Sequence, residues 1–477
     1  LTLFNRTKPP GYEHTASLDK LPAAFATLKS MKEPTSGKAL GFWICTALVV
    51  GNMIGSGVFL LPASLAPFGW NAVFGWILTI AGAFALAFVY ARLARAIPRE
   101  GGPYAYAQAA FGPMVGFAVA WSYWLSVVVG NAAIATGSVS YLSVLFPVIG
   151  TVRSLPPVLT LAVIWSFTLL NCWGASVAGR FQAFTTLIKL LPLAAVLIVA
   201  GVALANSGPH LILPFHASEI HFGSVSAAAT LTLWALLGLE SATIPADKVH
   251  DPKRTIPRAT LIGTTFTGIL YLAVCSAVLL MLPAAQLANS PAPFADFLER
   301  YWGGQAGSVL AAFAALSGFG ALIGWVLLQG ELAYVMAVRG VFPSWLAITS
   351  TNGTPVRAHL LSSGVLTLTV ATNFNRSMVD LFTFVLLLAT TGCLFAYLFT
   401  GLAALKLQSR RVLERSGALT FLAIASAIYS AWAIWGAGRE AALWGLATFL
   451  MAFPIYGAML WSRRGERNVA TQAAAGD

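Results

Sequence analysis

Charge is what this chain has least of. Only 9% of its 477 residues are Asp, Glu, Lys or Arg, while 58% are hydrophobic. Soluble domains carry about 25% charged residues, so a water-exposed globule of this composition could not cover its own surface. Cysteine is scarce too. Cys45, Cys172, Cys275 and Cys393 lie within or beside apolar runs, and no pair has the spacing of a metal or redox site. The apolar runs lack the period-two alternation of barrel strands, which leaves helices as the way to span a bilayer. No paired carboxylates, HExxH pattern or nucleophile with its base lies in the interior, so a membrane enzyme is a poor reading. A channel would want a symmetric filter or rings of like charge, and neither is repeated. No cofactor and no metal are expected. His210, His216, Glu219 and His221 share one loop, but without ligand spacing.

What is present is a series of apolar runs from about residue 40 to the 460s, each near the roughly 20 residues that cross hydrocarbon as a helix. About twelve spans are read, the ninth being short. The fold class is therefore an all-α membrane protein. Residues 1–39 carry Lys20, Lys29, Lys32 and Lys38 without the short apolar core of a signal peptide, and are expected as a cytoplasmic tail. Twelve spans put both termini on one side. Only Arg153, Arg300, Arg376 and Arg439 then fall opposite, out of 28 Lys and Arg, which makes the terminal side cytoplasmic by the positive-inside rule. The net charge of +12 is thus a matter of loops, and no nucleic-acid partner is expected.

Two spans are interrupted. The first reads GNMIGSGVFLLP from Gly51 to Pro62, and Gly55, Ser56 and Gly57 should unwind it. Small residues of this kind also make close helix-packing seams in membranes. The sixth reads LWALLGLESATIPAD from Leu233 to Asp247, with Gly238, Glu240, Ser241 and Pro245 breaking the apolar run. Unwound backbone at membrane depth is tolerable only where it lines a cavity, and the N-terminus of a half-helix offers free N–H groups to a carboxylate. Breaks five spans apart are what an inverted repeat of five plus five spans predicts, with spans 1–5 over residues 40–205 and spans 6–10 over 222–405. Two further spans over 417–462 and a tail over 463–477 would lie outside the repeat.

Ionisable side chains inside spans need a reason, since each costs about 2.5 to 3.5 kcal/mol on insertion scales. Lys189, Glu240 and Glu331 stand out. Glu240 lies in the sixth-span break, where it could take up a proton, pair with a cation, or hold the unwound segment through hydroxyls. Lys189 is close enough to the cytoplasmic end to snorkel, or deep enough to touch the freed carbonyls of the first span in place of a sodium ion. Glu331 follows Trp325 by six residues and so points about 120° away from it. Tyr123, Val127 and Asn131 share one helical face that lipid would reject. Trp234 and Trp325 are candidates to face a cationic solute, as an ammonium is stabilised over an indole; either could equally be a packing residue.

Taken together, GNMIGSGVFLLP, GGPYAYAQAAFGP from Gly101, YWLSVVVGN from Tyr123, LWALLGLESA from Leu233, DPKRTIPRAT from Asp251 and GWVLLQGELAYVMAVRGVFP from Gly324 resemble the amino acid–polyamine–organocation (APC) superfamily. The likeness is greatest to its basic amino acid/polyamine antiporters of the arginine/agmatine type. The resemblance implies the LeuT-like fold with discontinuous helices 1 and 6, alternating-access exchange of an amino acid or amine at the cell (inner) membrane, lipid contact and a homodimer. It also implies that Met53, Ser56 and Gly57 meet the substrate's carboxylate end, that Asn131, Trp234, Leu237 and Trp325 surround its amine end, and that Tyr123, Glu240 and Tyr397 sense protons. Three departures qualify this. Lys189 matches a lysine of proton-coupled relatives, which admits symport with Lys189 as the titrating group; Ala389 replaces a hydroxyl residue, and Glu331 a glutamine.

Overall fold

The apolar runs form helices because a helix satisfies every backbone N–H and C=O within its own segment, the condition hydrocarbon imposes. The structure, a computed structural model, describes residues 41–97, 101–173, 185, 188–243, 249–350, 353–372 and 376–475, except for the side chains of Ser56 and residues 461–475. Among these, nine helices are long and apolar enough to cross a membrane. The bent pair Phe42–Met53 and Ser56–Leu65 makes a tenth span, and the shorter apolar helices Phe222–Ala235 and Val356–Ala371 bring the total to twelve. The chain is an all-α, multi-pass membrane protein.

In order, span 1 is the bent pair, span 2 is Trp70–Ala96, span 3 Pro113–Leu145, span 4 Leu155–Trp173 and span 5 Leu190–Ser207. Span 6 begins with Phe222–Ala235, and spans 7 to 9 are Pro252–Met281, Ala306–Val338 and Val356–Ala371. Spans 10 to 12 are Met378–Ser409, Gly417–Gly436 and Arg439–Ala475. The last helix runs on through residues expected as a tail. Its final part, from residue 461, carries four Ala and three Arg and has no proline, so helix propensity favours continuation. Span 7 starts about two turns before its apolar run, which begins near Ala259, and Pro252 occupies the first helical position, where a missing N–H costs nothing.

Span 3 is the centre of the bundle. Of its apolar window 89% is buried, against 17% for the last helix, which therefore sits at the periphery. Spans 8 and 10 pack against span 3. The second half of the first span lies among these elements, while the first half packs chiefly against span 7. Tyr141 of span 3 donates its phenol to the Phe59 carbonyl at 2.7 Å, and Ser64 and Thr383 of span 10 share a hydrogen bond of 2.8 Å. The span 6 helix is held from two sides, Thr79 of span 2 donating to the Ala229 carbonyl at 2.9 Å and Thr230 donating to Ala433 of span 11 at 2.8 Å. These contacts set where the broken ends meet.

Candidate functional site

The first span stops at Met53 because Ile54 and Gly55 are extended, with ψ of 99° and −173°, and the second half resumes at Ser56 after a bend of 41°. A helix that ends inside a membrane leaves its last carbonyls without partners. Here three consecutive carbonyls are taken by side chains from three other spans. Lys189, fully buried at the start of span 5, donates its ammonium to Gly51 at 2.8 Å. The Trp325 indole of span 8 donates to Asn52 at 3.0 Å, and the Tyr271 phenol of span 7 donates to Met53 at 2.8 Å. The break is thus a built feature, and a cation lies at the negative end of the half-helix.

The sixth span stops at Ala235. Leu236–Glu240 are turns, Gly238 adopts φ of +104° in the left-handed region that side chains avoid, and a short 3-10 turn follows over Ser241–Thr243. Residues 244–248, with Pro245, lie outside the described set. The two breaks are joined directly: Asn52 donates its amide to the Ser241 hydroxyl at 3.0 Å. Glu240 is fully buried, and each carboxylate oxygen accepts one phenol, Tyr123 at 2.6 Å and Tyr397 at 2.7 Å. A carboxyl so held can exchange a proton only by rearranging those bonds.

Between the breaks lies a cavity of about 40 Å³. That is room for about three waters, so the pocket is nearly closed on itself. The Trp234 indole lines it and lies against Gly57 and Gly130, where an added Cβ would overlap the ring, so only glycine leaves room for the indole there. Asn131 on span 3 is fully buried and donates its amide to Gln329 of span 8 at 2.8 Å.

A family model of amino acid permeases matches residues 40–463. The chain belongs to the amino acid permease family. This permease is 36% identical to the cadaverine/lysine antiporter of Escherichia coli strain K12 over 336 residues, 69% of this chain and 73% of that one. It is 33% identical to a putative arginine/ornithine antiporter of Bacillus subtilis over 432 residues, covering 82% and 91% of the two chains. With the putrescine transporter PotE of Haemophilus influenzae it shares 30% identity over 420 residues, 86% and 95% of each.

In this permease Met53, Gly57, Asn131, Trp234, Leu237, Trp325, Tyr123 and Glu240 all line the one cavity. Tyr397 stands behind Glu240. Lys189 is not on the cavity wall; it does not snorkel but is buried and bonded to the Gly51 carbonyl near the end of the first half-helix. Of Ser56 the backbone opens the second half-helix, and its side chain is outside the described set. Glu331 is half-buried and not among the cavity residues, in keeping with its turn away from Trp325. Ala389 packs near Gly130. Sequence reasoning missed Asn52, Tyr271 and Gln329. Their signal was weak because a neutral amide or phenol can be satisfied by hydrogen bonds within the bundle and so does not by itself mark a site, although Gln329 lies one turn from Trp325.

Proposed function

We propose that this chain is a transporter, not an enzyme, that exchanges basic amino acids and polyamines by alternating access, with the solute held between the broken first and sixth spans. The observation that carries the reading is the cavity itself, where free N–H groups of the second half-helix, a buried Asn131 amide, the Trp325 ring and the Glu240 cluster converge. An α-carboxylate fits the half-helix N-terminus near Gly57, where the helix dipole favours negative charge. The side-chain ammonium or guanidinium fits against Trp325 and Asn131, by cation–π attraction and hydrogen bonding. A diamine uses the amine part of the site and leaves the carboxylate part empty, so one pocket serves an amino acid and its decarboxylated product.

Trp234 acts as the lid of this pocket, and Glu240 with Tyr123 and Tyr397 as its proton-responsive floor. Lys189 stands where a sodium ion would otherwise neutralise freed carbonyls, so exchange proceeds without sodium. Symport through Lys189 is not adopted, because the similar transporters named for a counter-substrate are antiporters. The reading further includes the five-plus-five inverted repeat, both termini in the cytoplasm, the inner membrane and a homodimer. Exchange is tested in proteoliposomes loaded with labelled lysine. Efflux should stall in empty buffer and start when external lysine, cadaverine, ornithine or putrescine is added; vigorous efflux into empty buffer overturns exchange.

A further inference from the structure

Gln329 is a fully buried glutamine in the middle of a membrane-spanning helix, a costly residue unless both ends of its amide are used. Both are. Its oxygen accepts from the Asn131 amide at 2.8 Å and its NH2 donates to the Ser363 hydroxyl of span 9 at 3.0 Å. Ser363 in turn lies 2.7 Å from the Thr168 hydroxyl of span 4, and Thr168 donates to the Ile164 carbonyl of its own helix at 2.8 Å. Trp124 pins the same place by donating to the Gln329 carbonyl at 3.2 Å.

The direction of every bond in this chain follows from counting protons. A hydroxyl has one. Thr168 spends its proton on Ile164, so Ser363 must donate to Thr168, and the Ser363 oxygen is then left to accept from Gln329. That turns the Gln329 oxygen toward Asn131, whose NH2 must face it. The Asn131 oxygen is what remains, and among the described residues it is buried without a hydrogen-bond partner. Asn131 lines the cavity, and a buried acceptor left unmatched is costly until a donor arrives.

We propose that Gln329 is the positioning residue that sets the amine selectivity of the pocket: through the neutral relay Thr168–Ser363–Gln329–Asn131 it holds the Asn131 oxygen free for an N–H of the solute. This rests on the function proposed above. A solute ending in an ammonium or guanidinium satisfies the oxygen. An apolar analogue that lacks the terminal ammonium leaves it unpaired. The relay holds no titratable group, so its work is orientation and not proton transfer.

The test is inhibition of labelled-lysine counterflow by lysine and by norleucine, which differ only in the terminal ammonium. The wild-type chain should prefer lysine, and Gln329→Met should reduce that preference about tenfold by weakening lysine while norleucine is little changed. Ser363→Ala, which removes the acceptor of the Gln329 NH2, should lower the preference in the same direction by a smaller factor. In an Asn131→Ala background, Gln329→Met should alter the ratio by no more than about twofold, since the two act as one unit. Unimpaired norleucine inhibition shows that each variant retains its pocket. The inference is overturned if Gln329→Met keeps the wild-type ratio, or if its effect is undiminished without Asn131. A wild-type chain that does not prefer lysine at all overturns the amine reading itself, and this inference with it.

Discussion

Trp325 is asked to do two things at once, to present its ring to a cationic solute and to donate its indole N–H to the Asn52 carbonyl across the bundle. The two can be separated. Trp325→Ala should weaken lysine binding by on the order of 1 to 2 kcal/mol through loss of a desolvated cation–π contact. Trp325→Phe keeps a ring but not the hydrogen bond, and should retain part of that affinity; equal loss in both variants, measured by counterflow inhibition, would assign the effect to the hydrogen bond alone. Glu240→Gln keeps the volume and removes the ionisable group, so the pH dependence of exchange should flatten, and an unaltered profile would place proton sensing elsewhere. Glu240 could be suspected from the chain alone because a carboxylate inside a span is conspicuous, whereas Trp325 could equally have been a packing residue. Gln329 escaped notice because its purpose is visible only when Asn131, Ser363 and Thr168, from three other spans, stand beside it.

The broken helices are where local sequence and tertiary structure agree most closely. Gly55 and Gly57 interrupt the first span, Gly238 the sixth, and each interruption becomes a termination in the fold. Lys189 of span 5 meets a freed carbonyl as one of its two expected readings had it; what the sequence did not reveal was that Trp325 and Tyr271, from spans 8 and 7, would meet the next two. Lys189→Met should leave the Gly51 carbonyl unpaired and lower stability by about 1 to 3 kcal/mol. Exchange that needs a counter-substrate should persist in the protein that remains, as shown by thermal unfolding and labelled efflux together. Gly57→Ala places a methyl against the Trp234 indole, where the added Cβ would overlap the ring nitrogen. The lid cannot then lie over the half-helix, so transport should be largely lost while unfolding temperature changes little; normal transport by this variant would remove Trp234 from the gate.

At the scale of the whole molecule, twelve spans were legible because hydrocarbon thickness imposes one length on every crossing segment, whatever the side chains. Helix ends were less so: the last helix continues to Ala475 and span 7 begins at Pro252, both beyond the apolar runs, because helix formation outside hydrocarbon follows propensity and capping instead of hydropathy. The pocket depends on the bundle as a unit, since its walls come from spans 1, 3, 6, 8 and 10, elements far apart in the chain. The claim on which all of this turns is that the solute binds between the two breaks. A structure of the protein with bound lysine tests it most directly. The expected result is the solute's carboxylate at the N-terminus of Ser56–Leu65 and its terminal ammonium between Asn131 and Trp325; lysine bound outside the two breaks, or a first span that is continuous through Gly55, would contradict the account.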